Sequence, residues 1–192
     1  MYSRSDIADF LGKWTLIVGD VNTGKTTIAA KMLKDLCDAG LSPRIAIVDL
    51  APEITGAFAS GKKMKGVGGR LAPPPMTGVV CLSTRLDPPR LSSRNDEEAV
   101  TKAKLNAEKI DELFEEFNGF SRDILFVNDV SMYLQAGTAE KLVRLMEKAS
   151  TLIANGYYGE KLGSGIVSER ERREMEALME YVEKKGQVIW EK

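Results

Sequence analysis

The sequence predicts an α/β fold in which a mostly parallel sheet carries helices on both faces. Short apolar runs rich in strand-forming residues alternate along the chain with longer segments of helical spacing. Several of these runs are apolar on both faces, which is typical of parallel strands covered by helices. The chain has 192 residues, of which 43% are hydrophobic, and this suits one domain, over residues 1–192, with a packed core.

The expected elements follow one another without an internal repeat. Strands are expected at residues 14–19, 44–50, 78–83, 123–128, 150–154 and 187–190. Helices are expected at residues 25–39, 95–118 and 138–148, and a last helix before Gly186. Ser168 and Glu171 have the spacing of a capping box, so we expect the last helix to open there.

Composition excludes several classes of function. The chain has no histidine, which rules out imidazole bases, Ser-His triads and the usual zinc sites. Its two cysteines, Cys37 and Cys81, lie in a predicted helix and a predicted strand, so we expect reduced thiols and a cytoplasmic location. The sequence shows neither a membrane-spanning run nor a signal-peptide pattern, so no membrane partner is expected. A net charge of −1 gives no broad attraction to duplex DNA.

The most specific motif directly follows the first predicted strand. Residues 19–26 read GDVNTGKT and fit G-x-x-x-x-G-K-[ST] without a mismatch. The glycines let the backbone curl so that successive N–H groups point at phosphate oxygens, and the helix that starts at Lys25 directs its positive end to the same point. Lys25 is expected to reach the β- and γ-phosphates, and the Thr26 hydroxyl to bind Mg²⁺. The expected nucleotide-binding residues here are Gly19, Asp20, Val21, Asn22, Thr23, Gly24, Lys25, Thr26 and Thr27.

This loop resembles the Walker A motif of the P-loop NTPases, and the resemblance spans about residues 14–155. It implies a three-layer sandwich that binds Mg²⁺ with ATP or GTP. The ending Gly24-Lys25-Thr26-Thr27 is similar to loops of the SIMIBI class, while Asp20 stands where ParA-like ATPases carry a lysine. The stretch VDLAP, residues 48–52, resembles the acidic strand end of RNA 5′-hydroxyl polynucleotide kinases, with alanine in place of their second acid.

Two aspartates at strand ends compete for the metal and the catalytic positions. Asp49 ends the run RIAIVD, and Asp129 ends the run DILFVND. We expect Asp129 to belong to the Mg²⁺ shell and Asp49 to orient or deprotonate the attacking oxygen. The reversed assignment, with Asp49 at the metal, stays open. Glu53 is a further candidate, either to assist Asp49 or to serve as a helix-terminal charge.

Cationic residues and one further strand end complete the candidate site. Residues 61–75 combine four cations with four glycines, which predicts a mobile loop, either a lid over phosphates or a solvated segment. Arg85 and Arg90 follow a strand end and are expected to stabilise the transferring charge, or else to cap helices at the surface. Asn155 is expected to contact the nucleotide base, with a purely structural turn as the alternative.

These residues predict an enzyme that hydrolyses ATP or GTP or passes its phosphoryl group to a hydroxyl acceptor. The acceptor would be a small molecule or an RNA end. The alternative is a nucleotide-dependent switch or assembly factor with slow hydrolysis, acting through a homodimer or another protein partner.

Overall fold

The computed structural model describes residues 7–52, 69–75 and 77–192. Its strands are β1 (Trp14–Gly19), β2 (Ile45–Asp49), β3 (Val80–Ser83), β4 (Ile124–Asn128), β5 (Thr151–Tyr157) and β6 (Gly186–Glu191). Its helices are α1 (Ile7–Phe10), α2 (Lys25–Asp38), α3 (Pro89–Ser92), α4 (Asp96–Asn118), α5 (Ser131–Leu134), α6 (Ala139–Met146) and α7 (Ile166–Glu183).

The strands form one six-stranded parallel sheet in the order β3-β2-β4-β5-β1-β6. This confirms the predicted α/β fold. Strand β5 lies between β1 and β4, with Leu152 paired to Trp14 on one side and to Leu125 on the other. One strand, β5, therefore separates β1 from β4, which precedes Asp129, whereas two strands separate β1 from β2, which ends at Asp49.

Buried apolar side chains cover both faces of the sheet. On β1, Leu16 and Val18 belong to a cluster with α4, α6 and α7, while Ile17 points to a second cluster with α2. This alternation follows from the two-residue period of a strand, and it explains why the run is apolar on both faces. Each fully buried Leu, Ile or Val side chain stabilises the fold by about 1.5–3 kcal/mol, so the sheet is a rigid base for its loops.

Two local predictions were wrong. Strand β5 continues to Tyr157 instead of ending at residue 154, because Asn155 and Gly156 still pair with β1. Helix α7 begins at Ile166, with Gly165 as its N-cap, so Ser168 does not open it. The expected capping box fails because the Glu171 side chain turns inward and is buried. Helices α1, α3 and α5 have four residues each, too few to show a helical period in the sequence.

None of the helices in the described ranges has the length and the apolar character needed to cross a lipid bilayer. The thiols of Cys37 and Cys81 are free, with Cys37 half-buried and Cys81 exposed.

Candidate functional site

The carboxyl ends of the strands open into a cavity of about 570 Å³. This is the edge at which open parallel sheets place their ligands, and the volume is within the usual range of ligand sites. The loop after β1, the first turn of α2, the end of β4 and helix α3 form its walls. The residues that line it include Val21, Asn22, Thr23, Gly24, Lys25, Thr26, Thr27, Arg70, Arg90, Asn128, Asp129, Gln135 and Asn155.

The phosphate-loop motif forms a tight turn between β1 and α2. Asn22 and Gly24 both have a left-handed backbone, with φ of 62° and 92°. A side chain at Gly19 would place its Cβ 2.2 Å from the backbone oxygen of Glu191, so only glycine fits this close approach. No side chain caps α2 at Gly24, which leaves the first N–H groups of the helix directed at the loop. Gly19 and Asp20, which the sequence also predicted to bind the nucleotide, are not among the residues that line the cavity.

The Lys25 ammonium group lies over the loop. Its Nζ donates a hydrogen bond to the backbone oxygen of Asp20 and is 3.4 Å from Thr23 Oγ1. Burial lowers the pKa of Lys25, while the carboxylates of Asp129, Asp20 and Glu191 oppose that shift. The cation is thus held where phosphate oxygens would bind to the loop.

Asp49 is buried at the end of β2, and donors from the protein surround its carboxylate. Oδ1 accepts hydrogen bonds from the Ala51 N–H at 3.1 Å and from Asn128 Nδ2 at 2.8 Å, and Oδ2 accepts one from the Leu71 N–H at 3.1 Å. Asp49 does not line the cavity. Its contacts tie the stretch around Leu71 to the sheet.

Asn128, at the end of β4, connects Asp49 to the phosphate loop. Its Nδ2 donates to Asp49 Oδ1 and to the Gly69 backbone oxygen, each at 2.8 Å. Its Oδ1 accepts from Asn155 Nδ2 at 2.8 Å and lies 3.5 Å from Thr26 Oγ1. Asn128 was not among the residues predicted from the sequence. The available signal was its place beside Asp129, as a polar pair directly after an apolar strand.

Asp129 lines the cavity in a left-handed backbone conformation, with φ of 62°. Such strain at a residue other than glycine is often found at functional positions. Its backbone N–H donates to Asn155 Oδ1 at 3.2 Å, and Ser131 Oγ donates to its carboxylate. Burial raises the pKa of Asp129, while the Ser131 hydrogen bond, Arg90 and Lys25 oppose that shift.

Asn155 is buried within β5, and both the nitrogen and the oxygen of its side-chain amide form hydrogen bonds. Nδ2 binds Asn128, and Oδ1 accepts from the Asp129 backbone. These contacts fix the turn that presents Asp129. Asn155 also lines the cavity, and its contact with a nucleotide base stays a prediction.

The structure brings Arg90 to the cavity but not Arg85. Arg90, on α3, has its guanidinium 4.8 Å from the centre of the Tyr157 ring and 2.8 Å from a carboxylate oxygen of Glu171. Arg85 is exposed, and its backbone oxygen accepts a hydrogen bond from Lys109 Nζ. Of the two arginines, only Arg90 is placed to act on a ligand in this cavity.

Glu171, on α7, has only 2% of its surface exposed. Its carboxylate accepts hydrogen bonds from Arg90 Nη1 and Gln135 Nε2, each at 2.8 Å. Burial raises its pKa to about 7, although Arg90 and Gln135 oppose the shift. Neither Gln135 nor this contact of Glu171 was predictable from local sequence patterns, since the three side chains come from segments far apart in the chain.

The raised pKa predicts a pH-dependent stability. The pKa of Glu171 is about 7 in the folded chain against an ordinary 4.5, so the folded chain holds an extra proton between these values. The free energy of unfolding of the wild type is therefore expected to fall, relative to Glu171→Gln, as the pH rises from 5 to 8. The expected change is up to about 3 kcal/mol, measured by urea denaturation. Glu180→Gln, on the exposed side of α7, controls for the lost charge, and an equal pH response in all three proteins would contradict this expectation.

Two of the predicted features fall on residues that the structure does not describe. Glu53 and residues 61–68 of the expected mobile loop lie outside the described ranges. Of that loop, residues 69–75 are described, and Arg70 lines the cavity.

The described residues include no cluster of three or more His, Cys, Asp or Glu side chains suited to a metal. Mg²⁺ does not need one, because it usually takes one or two protein oxygens together with substrate phosphates and water. The Thr26 hydroxyl and the Asp129 carboxylate both line the cavity, and oxygens of this kind fit Mg²⁺.

The comparisons with known proteins show only a weak likeness. No protein-family model and no curated protein matches the chain. One solved structure with some likeness is an ATPase from the type III secretion system of pathogenic bacteria, with 15% sequence identity and a TM-score of 0.36. The match covers 88% of this chain and 52% of that chain, so this chain spans about half its length. The parallel sheet is compatible with a P-loop NTPase, whereas membership of the SIMIBI class is not confirmed.

Proposed function

We propose that this protein binds ATP or GTP together with Mg²⁺ and cleaves the terminal phosphoryl group. One observation carries the proposal. The phosphate-loop motif, with Lys25 and Thr26, and the strained acid Asp129 line the same cavity at the carboxyl ends of the strands. A polyphosphate chain matches the N–H groups, the helix terminus and the cation gathered there.

Each group then has a role in phosphoryl transfer. The loop N–H groups and Lys25 hold the β- and γ-phosphates, and Arg90 contacts the charge that develops on the transferring group. The Thr26 hydroxyl would hold Mg²⁺, which would supply positive charge to neutralise the phosphates.

The contacts favour the reversed assignment of the two acids. Asp129 lines the cavity, so it receives the proton of the attacking oxygen. Asp49 acts on the Mg²⁺ position indirectly: it holds the Asn128 amide, and Asn128 Oδ1 in turn contacts the Thr26 hydroxyl.

Calorimetric titration of the protein with MgATP and with MgGTP tests the proposal. We expect saturable binding of at least one of them, abolished by excess chelator, and phosphate release on incubation. If neither nucleotide gave a binding signal, the proposal would be overturned. The same protein, assayed with nucleosides and RNA 5′-hydroxyl ends, distinguishes hydrolysis from transfer. Binding with nucleotide-dependent dimerisation but no turnover would favour the switch.

A further inference from the structure

Arg90 lines the cavity from a segment that is tied to α4 on both sides of it. Asn106 is buried on α4, where its Oδ1 accepts a hydrogen bond from the Asp87 N–H at 3.1 Å and its Nδ2 donates to the Asp87 backbone oxygen at 2.7 Å. One turn earlier on α4, Lys102 Nζ donates to the Ser92 backbone oxygen at 2.8 Å. These contacts hold the backbone around Arg90, so its remaining freedom is that of its side chain.

The guanidinium group of Arg90 is held by two further side chains. Its Nη1 is 2.8 Å from a carboxylate oxygen of Glu171, and its central carbon lies 4.8 Å from the centre of the Tyr157 ring. The side chains of the ion pair are only 11% exposed at Arg90 and 3% exposed at Glu171. Arg90 and Tyr157 line the cavity, whereas Glu171 does not. The arginine therefore faces the cavity while the acid that holds it stays outside.

The Arg90–Glu171 pair is poorly explained by stability alone. A buried ion pair contributes little net stability, because the loss of hydration of both charges offsets their attraction. An arginine side chain loses considerable rotamer freedom when it is fixed. Donors that are fixed before the reaction act on developing charge without having to reorganise. The effect of the pair is thus to orient a cation at the wall of the cavity.

We propose that Glu171 is a positioning residue for phosphoryl transfer, because it holds the Arg90 guanidinium against Tyr157 with its remaining N–H groups toward the transferring group. This inference rests on the proposed function, in which Arg90 contacts the charge that develops on that group. A guanidinium group has five N–H donors, so the hydrogen bond to Glu171 leaves others for a phosphoryl oxygen. Glu171 acts through Arg90, so we expect its loss to change the rate more than the binding of nucleotide.

Glu171→Gln removes the charge and keeps the size of the side chain. The new amide oxygen can accept from Arg90, and Gln135 can turn its amide so that Oε1, which has no partner in the described ranges, accepts from the new NH₂ group. At pH 8, above the pKa of about 7, Glu171 in the wild type is ionised. Since charge-assisted hydrogen bonds are the stronger ones, we expect kcat to fall about tenfold, with KM for MgATP or MgGTP within about twofold of the wild type. Glu180→Gln, on the exposed side of α7, is expected to match the wild type in both constants.

Arg90→Ala supplies a second readout, rescue by free guanidinium ion. The truncation opens the place between the Glu171 carboxylate and the Tyr157 ring, and a planar cation fits both. We expect kcat to fall about 100-fold and millimolar guanidinium chloride to raise it again by about tenfold, with saturation. In Arg90→Ala/Glu171→Gln the same salt is expected to restore nothing, because the carboxylate that binds the cation is gone. A purely structural Glu171 would not make rescue depend on its charge.

Arg172→Ala is the matched control for the arginine. Like Arg90, Arg172 lies over a tyrosine ring, 4.9 Å from the centre of Tyr158, but it does not line the cavity. Its kcat is expected to equal that of the wild type and not to respond to guanidinium. Sodium chloride at the same concentration controls for ionic strength, and millimolar guanidinium is far below the molar concentrations that unfold proteins. Thermal melts check that each variant is folded.

The outcomes separate this inference from the proposed function. A wild type that does not bind or turn over either nucleotide fails the proposed function, and this inference with it. If the wild type turns nucleotide over, three results each overturn the inference alone: wild-type kcat in Glu171→Gln, no rescue of Arg90→Ala, or equal rescue of Arg90→Ala and the double variant. A lower kcat at unchanged KM in Glu171→Gln, together with rescue that requires the Glu171 carboxylate, supports it.

Discussion

Replacing Lys25 by alanine is expected to weaken MgATP or MgGTP binding by at least about 100-fold and to abolish turnover. The ammonium group is held over the phosphate loop by the backbone oxygen of Asp20 and faces the cavity. Each charge-assisted hydrogen bond contributes about 1.5–3 kcal/mol, and Lys25 is expected to make such bonds to two phosphates. Calorimetric titration and a phosphate-release assay measure the two effects.

Lys34→Ala is the matched control for this variant. Lys34 lies on the same helix, α2, and forms an exposed i,i+4 ion pair with Asp38 at 2.6 Å. Exposed pairs of this kind contribute little, so affinity and turnover should stay at wild-type values. Circular dichroism should show both variants folded. Wild-type affinity in Lys25→Ala would remove the loop from the nucleotide site and with it the proposed function.

Asp129→Asn is expected to lower turnover by about 100- to 10,000-fold while nucleotide affinity changes little. The amide cannot accept a proton from the attacking oxygen. Asparagine tolerates the left-handed backbone at this position, and its Oδ1 can still accept the Ser131 hydrogen bond. The change therefore removes the base and keeps the local structure. Single-turnover phosphate release, measured beside a binding titration, separates the two effects.

Asp49→Asn is the informative partner of Asp129→Asn. The Asp49 carboxylate accepts hydrogen bonds from two backbone N–H groups and from the Asn128 amide. In Asp49→Asn, the NH₂ group would face at least one of these donors, and that hydrogen bond would be lost. We expect the free energy of unfolding to fall by about 1–3 kcal/mol, with a smaller loss of turnover than in Asp129→Asn. A large loss of turnover at unchanged stability in Asp49→Asn, together with a mild effect in Asp129→Asn, would restore the first assignment of the two acids.

The sequence by itself determined the fold class and the position of the phosphate-loop motif. Both depend on residues that are close together in the chain. Apolar runs such as residues 14–19 and 45–49 indicate strands, and the spacing of apolar residues in α2 and α4 indicates helices. The motif from Gly19 to Thr26 lies at a single strand–helix junction. Periodicity and turn chemistry act over a few residues, so one sequence is enough to find them.

Only the tertiary structure decided which polar residues meet at the cavity. The strand order places β5 beside β1, which puts Asp129 at the cavity and leaves Asp49 behind Asn128. The structure also turns Glu171 inward, onto Arg90 and Gln135, where local spacing favoured a helix cap. The physical reason is that these contacts join segments from different parts of the chain. They depend on which strands are neighbours in the sheet, and local sequence patterns carry no record of that order.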